Sequence, residues 1–124
     1  MELTETLTIQ VSLIKIVANN IIEIIVLSNA IVELEHIKHD MDYCKKISPN
    51  KEYHLILNTQ EFSTITSEAR EYSMKNMNWA NSVSLVSQSL AHRMLFNFGL
   101  RIFDSKRMKM HKTREAALKW IASF

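Results

Sequence analysis

Glycine and proline are almost missing from this chain, which holds one of each, Gly99 and Pro49, in 124 residues. Their scarcity excludes a glycine-rich loop for cradling phosphates, a flexible linker and any low-complexity stretch. With no boundary signal, residues 1–124 are expected to form one domain. The one cysteine, Cys44, leaves no partner for an internal disulfide and excludes paired-cysteine metal or redox motifs. Net charge is only +2, too small to imply a nucleic-acid partner. The basic residues that do cluster, Lys106, Arg107, Lys109, Lys112 and Arg114, fit a solvated loop and helix start. Long apolar runs are also lacking: Ile21 to Leu27 is broken by Glu23 and falls far below the roughly 20 residues needed to span a bilayer. No transmembrane segment is expected. The amino terminus lacks the charged-then-apolar pattern of a signal peptide, so the expected compartment is the cytoplasm.

What is present is ordinary core material, 47% apolar and 23% charged, arranged in two periods. Ile9, Val11 and Leu13 alternate with Thr8, Gln10 and Ser12, which predicts a strand over about Thr8 to Val17. Asn19-Asn20 separates it from a second strand, Ile21 to Leu27. Two asparagines tolerate the positive φ of a tight turn, so the pair is expected to be antiparallel. From Glu33 to Ile47 the period changes: Leu34, Ile37, Met41 and Cys44 form a stripe at steps of three and four, the mark of an amphipathic helix. Ser48-Pro49-Asn50 stops it. Tyr53 to Leu57 is a third strand, joined to the second by a crossover long enough for parallel pairing. Thr66 or Ser67 caps a second helix to about Asn76, with Glu68 and Glu71 where the helix dipole favours negative charge. Ser82 to Ser87 is a strand, Leu90 to Phe103 a helix, Met108 to His111 a short strand, and Thr113 caps a last helix through Ile121. The predicted order is β-β-α-β-α-β-α-β-α, an α/β domain with a mixed central sheet.

That order, together with SEAREY at Ser67 to Tyr72, SVSLVSQSLAHRMLFNF at Ser82 to Phe98 and EAALKWI at Glu115 to Ile121, resembles the STAS superfamily, typified by anti-sigma-factor antagonists of the SpoIIAA type. It is most similar to SpoIIAA-like or STAS/SEC14-labelled bacterial proteins. The resemblance implies a non-enzymatic regulatory module. In its phosphorylatable members the switch is a serine in an Asp-Ser-Ser-Gly-type turn at the start of the second helix. The equivalent turn here is Thr66, Ser67, Glu68 and Ala69, followed by Arg70. Glu68 stands at the second serine position and cannot be phosphorylated. Plain N-capping by this turn is the simpler reading, and a switch moved to Thr66 or Ser67 is the sharper one.

The predicted helix over Leu90 to Phe103 has two apolar sides on a helical wheel. Ala91, Met94, Leu95, Phe98 and Ile102 suit packing on the sheet. Phe96, Leu100 and Phe103 form a second stripe, with Arg93, Asn97 and Arg101 as a polar strip between the two. The second stripe needs a cover: another protein, most simply a second copy of the chain, an apolar ligand, or the chain's own loops. His36, His39 and Asp40 approach helical metal-ligand spacing but lie away from the buried stripe, where polar residues need no ligand to explain them. His92 is expected at the surface, and Cys44 as a small hydrophobe on the core stripe. No cofactor is expected, and no serine-histidine-acid order or other catalytic motif stands out. Two functions follow as expectations: recognition of a protein partner or of itself, and carriage of a lipid or other apolar molecule, suggested by the SEC14 side of the resemblance.

Overall fold

The computed structural model describes residues 11–18, 20–47, 53–76, 80–91, 93–94 and 107–124. Its strands form where β-branched and leucine side chains crowd together. They are β1 (Ser12–Ala18), β2 (Ile21–Val26), β3 (Ile31–Val32), β4 (His54–Thr59), β5 (Thr64–Ile65), β6 (Ser82–Val86) and β7 (Met108–His111). The helices are α1 (Leu34–Ile47), α2 (Ser67–Asn76) and α3 (Arg114–Ile121). Five strands make one sheet in the order β1-β2-β4-β6-β7. The first pair is antiparallel, with Ala18 opposite Ile21. All other neighbours in this sheet are parallel, as the crossover lengths require. The mixed α/β expectation therefore holds.

Successive parallel crossovers step across the sheet in one direction, and right-handed connections then place their helices on one face. Ile37, Met41 and Cys44 of α1 and Ala69 and Met74 of α2 pack there with Ile22, Ile24, Leu55, Leu57, Val83 and Leu85. Leu55 is 0% exposed, and burying such a side chain stabilises the fold by about 1.5–3 kcal/mol. The opposite face carries α3, packed through Ala117 and Ile121 on Ile56 and Val86. Thr113 caps α3 as expected, its Oγ1 accepting from the Ala116 N–H at 3.2 Å.

Several expectations change in detail. Strands β3 and β5 escape the sequence pattern because two residues carry no period. They pair in parallel, Ile31 with Thr64 and Val32 with Ile65, and bind together the loops that follow β2 and β4. Positive φ among the described residues occurs at Asn29 (64°) and Phe62 (61°), and Asn20 does not adopt it. Asp40, expected on a solvated face, is buried, because Ser12 of β1 donates to its Oδ2 at 2.7 Å. His36 Nδ1 accepts from the Glu33 N–H at 2.9 Å, a capping role. Residues 90, 91, 93 and 94 are helical, in agreement with the expected start at Leu90. There Ala91 and Met94 are exposed rather than set on the sheet, since this turn is oriented by Arg93, whose Nη1 donates to the Ser87 carbonyl at 3.1 Å. Phe96, Asn97, Leu100, Arg101 and Phe103 lie outside the described residues.

Candidate functional site

Parallel strands deliver their following loops to one end of the sheet, where open α/β folds collect ligands and partners. Here the loops after β2, β4, β6 and β7 and the first turn of α3 enclose an open cleft of about 980 Å³. Its walls are mostly hydroxyl and amide: Ser28, Asn58, Gln60, Ser87 and Thr113 contribute, with Lys112 and Arg114 as the cations and Glu61 and Glu115 as the anions. Among the described residues, neither histidine nor cysteine lines it. Several hydroxyls are committed to the fold. Thr59 Oγ1 donates to the Val86 carbonyl at 2.9 Å, tying β4 to β6. Ser63 Oγ donates to the Gln60 carbonyl at 2.8 Å, and Ser87 Oγ accepts from the Ser89 N–H at 3.1 Å.

Beneath the cleft a charged network enters the sheet. Glu23 is fully buried in the otherwise apolar β2. Arg114 Nε donates to both of its oxygens, at 3.0 and 3.1 Å. Asn58 Nδ2 donates to Oε2 at 3.0 Å, and Lys15 Nζ lies 3.8 Å from Oε1. A buried carboxylate needs such partners, because leaving it unpaired costs several kcal/mol. The network joins β1, β2, β4 and α3, and so holds the first turn of α3 at the edge of the cleft. Sequence reasoning missed it, although its signal was visible as one charged residue inside an isoleucine run.

The rim next to the cleft is apolar at two points. Phe62 is 78% exposed and Ile31 59%, one on each of the loops that β3 and β5 bind together. Three residues beyond Thr64, which lines the cleft, α2 begins. Thr66 is its cap, with Oγ1 accepting from the Ala69 N–H at 3.2 Å. Ser67 and Glu68 are exposed, Arg70 is half-buried and Ala69 is buried in the core. The sequence-derived turn is thus a true helix start, with Ser67 and Glu68 exposed and Thr66 and Arg70 half-buried.

Away from the cleft, His54 Nδ1 and Ser82 Oγ lie 2.6 Å apart. Ser82 is 0% exposed, so this pair has no route to a substrate and serves to satisfy buried polar atoms. Burial pushes the His54 pKa below the ordinary histidine value. His39, 80% exposed at its side chain, sits 3.4 Å from Asp40, and no cluster of metal-ligating residues occurs among the described residues. Of the basic cluster, Arg114 is taken up by Glu23, while Arg107, Lys109 and Lys112 are exposed. No described helix is long and apolar enough to cross a membrane.

Comparison with known proteins agrees with this architecture. The crystal structure of an uncharacterized protein of the DUF3478 family from Shewanella loihica PV-4, which has a SpoIIAA-like fold, superposes with a TM-score of 0.59 at 9% identity, covering 88% of this chain and 90% of that one. Similarity at this level establishes the fold alone. No curated protein matches the chain. Residues 14–124 match the model of a domain of unknown function, DUF7793; the chain therefore belongs to the DUF7793 family and carries the SpoIIAA-like fold.

Proposed function

We propose that this domain is a non-enzymatic regulatory module of STAS-like type that acts in the cytoplasm by binding a protein partner or a second copy of itself through the rim of the cleft. Phe62 carries the reading. It is 78% exposed and held at φ 61°, a left-handed conformation that costs a non-glycine residue about 1–2 kcal/mol. Its loop therefore presents a large apolar side chain to water against both the hydrophobic effect and backbone preference. Strain of this kind collects at recognition sites, and exposed aromatics are the usual anchors of protein interfaces.

The turn Thr66 to Arg70 adds Ser67 and Glu68 to the same surface, over buried Ala69, with Glu68 supplying a fixed negative charge where the resemblance implies a switchable one. Phe96, Leu100 and Phe103, with Arg93, Asn97 and Arg101 around them, are proposed as a second part of the partner surface. Carriage of an apolar molecule has less support. The apolar cavity between Val26, Val32, Ile37 and Leu57 is about 20 Å³, the scale of a single water.

Light scattering on the purified chain tests the self-association form of the proposal. A mass above 14.4 kDa that falls to the monomer value in Phe96→Asp/Leu100→Asp or in Phe62→Ser supports it. A monomer at every concentration leaves only the hetero-partner form.

A further inference from the structure

The face of the sheet beneath α3 is built unlike the other. Among the described residues its buried apolar cluster is Ile56, Val86, Ala117 and Ile121, and between these the strands bury Ser82, Ser84, His54 and His111. Aromatic rings of the last residues lie against the two histidines, Phe124 itself remaining 62% exposed. Trp120 lies 5.4 Å from His111, Phe124 lies 5.2 Å from His54, and Trp120 meets Phe124 edge-on at 4.9 Å. At the other end of this segment Arg114 is fastened to buried Glu23 at 3.0 Å. The segment is thus pinned at its start by an ion pair, seated in its middle by Ala117 and Ile121 on Ile56 and Val86, and closed at its end by ring contacts to the two imidazoles.

We propose that residues 114–124 form an acid-released strap: protonation of His54 and His111 frees Phe124 and Trp120 from the sheet, while Glu23 retains Arg114 as the pivot. The geometry makes a second charge state hard to accommodate. His111 Nε2 has no hydrogen-bond partner among the described residues, and neither does Ser84 Oγ. A proton on that nitrogen would create a buried cationic donor that makes no hydrogen bond among the described residues. His54 has Ser82 at 2.6 Å and Phe124 against its ring, and no ion pair to it occurs among the described residues. Around His111 stand Val86, its partner on β6, Trp120 of α3, and Lys109 on its own strand, which adds repulsion. Glu23, the buried carboxylate on this face among the described residues, is occupied by Arg114, Asn58 and Lys15.

The direction follows from linkage. Burial holds both histidines below their ordinary value of 6.5, with Lys109 assisting at His111. The docked strap therefore binds fewer protons than the released one. Docking is at full strength above pH 6.5 and weakens as pH falls below it. The docked population changes by a factor of about ten for each unit by which burial has lowered a histidine.

Hydrogen exchange read by mass spectrometry at pH 7.5 and 5.5, corrected for intrinsic exchange rates, tests this on the whole chain. Peptides covering 114–124 are expected to exchange faster at the lower pH, while those covering β2 and β4 keep their protection. The His54→Phe/His111→Leu variant should lose that dependence, and His111→Gln, the milder change, should reduce it. An α3 with the same protection at both pH values overturns the proposal. So does a loosening shared equally by β2 and β4, or a dependence that persists undiminished in the variants.

Discussion

Arg114 and Glu23 are 91 residues apart in sequence and 3.0 Å apart in space, joining the first residue of the last helix to the middle of a central strand. The carboxylate is 0% exposed and the guanidinium side chain 36%, so the two partners lose different things when the pair is broken. Arg114→Ala strands a buried charge with only Asn58 and distant Lys15, and is expected to lower unfolding free energy by about 3 kcal/mol. Glu23→Leu/Arg114→Ala, which removes both charges, should be more stable than Arg114→Ala alone. Lys15→Ala, at an exposed position 3.8 Å away, should lose under about 1 kcal/mol. Urea denaturation of the three variants checks the ranking.

The two helix caps make a smaller and separable contribution. Thr66→Ala and Thr113→Ala each remove a side-chain acceptor from a helix start and should each cost about 1 kcal/mol. Ser67→Ala, at an exposed first helical position, should stay within about 0.5 kcal/mol. A large loss at Ser67 instead of Thr66 would show that the cap had been assigned to the wrong residue.

These sites illustrate what sequence pattern makes legible. Periodicity located β2, α1, β4, α2, β6, β7 and α3, because each is long enough, or sharply enough bounded by a cap, for its period or its ends to be seen. It could not locate β3 and β5, whose two-residue pairing exists only because the neighbouring loops run side by side. It assigned Asp40 to solvent because a helical wheel knows nothing of β1, which brings Ser12 against it. The candidate turn was found through capping chemistry, and Thr66 fills that role. Phe62 was not found at all, since an aromatic in a loop has no period. Glu23 was noticed only as an interruption, for its partners lie in elements that sequence spacing cannot bring together.

Phe62 should show a conflict between stability and recognition. Phe62→Gly removes the left-handed penalty of about 1–2 kcal/mol, offset in part by the greater freedom of glycine in the unfolded chain. A net gain of up to about 1 kcal/mol is expected in thermal or urea unfolding, together with loss of partner binding. A destabilised Phe62→Gly would mean that the ring contributes to the fold.

Cys44 is 0% exposed, and burial, reinforced by nearby Asp40, pushes its thiol up to about 12. Since the thiolate is the reactive form, a thiol reagent at pH 8 should label the folded protein only at its rate of opening and label the urea-unfolded protein at once. The unfolded thiol ionises near 9.0 while the folded one stays neutral. This group's contribution to stability is thus present below pH 9 and lost as pH rises towards 12. Prompt labelling of the folded protein would contradict the buried placement.

The central claim, that the cleft rim is a protein-recognition surface anchored by Phe62, is tested most directly by photo-crosslinking from that position. A photoreactive phenylalanine analogue at residue 62, and in a second variant at exposed Tyr43 on α1, is irradiated in cells producing the full chain. The expected result is one discrete adduct from position 62, absent from position 43 and suppressed by excess unlabelled domain but not by excess Phe62→Gly domain. Equal adducts from both positions, or none from position 62 while the protein is abundant and folded, would contradict it.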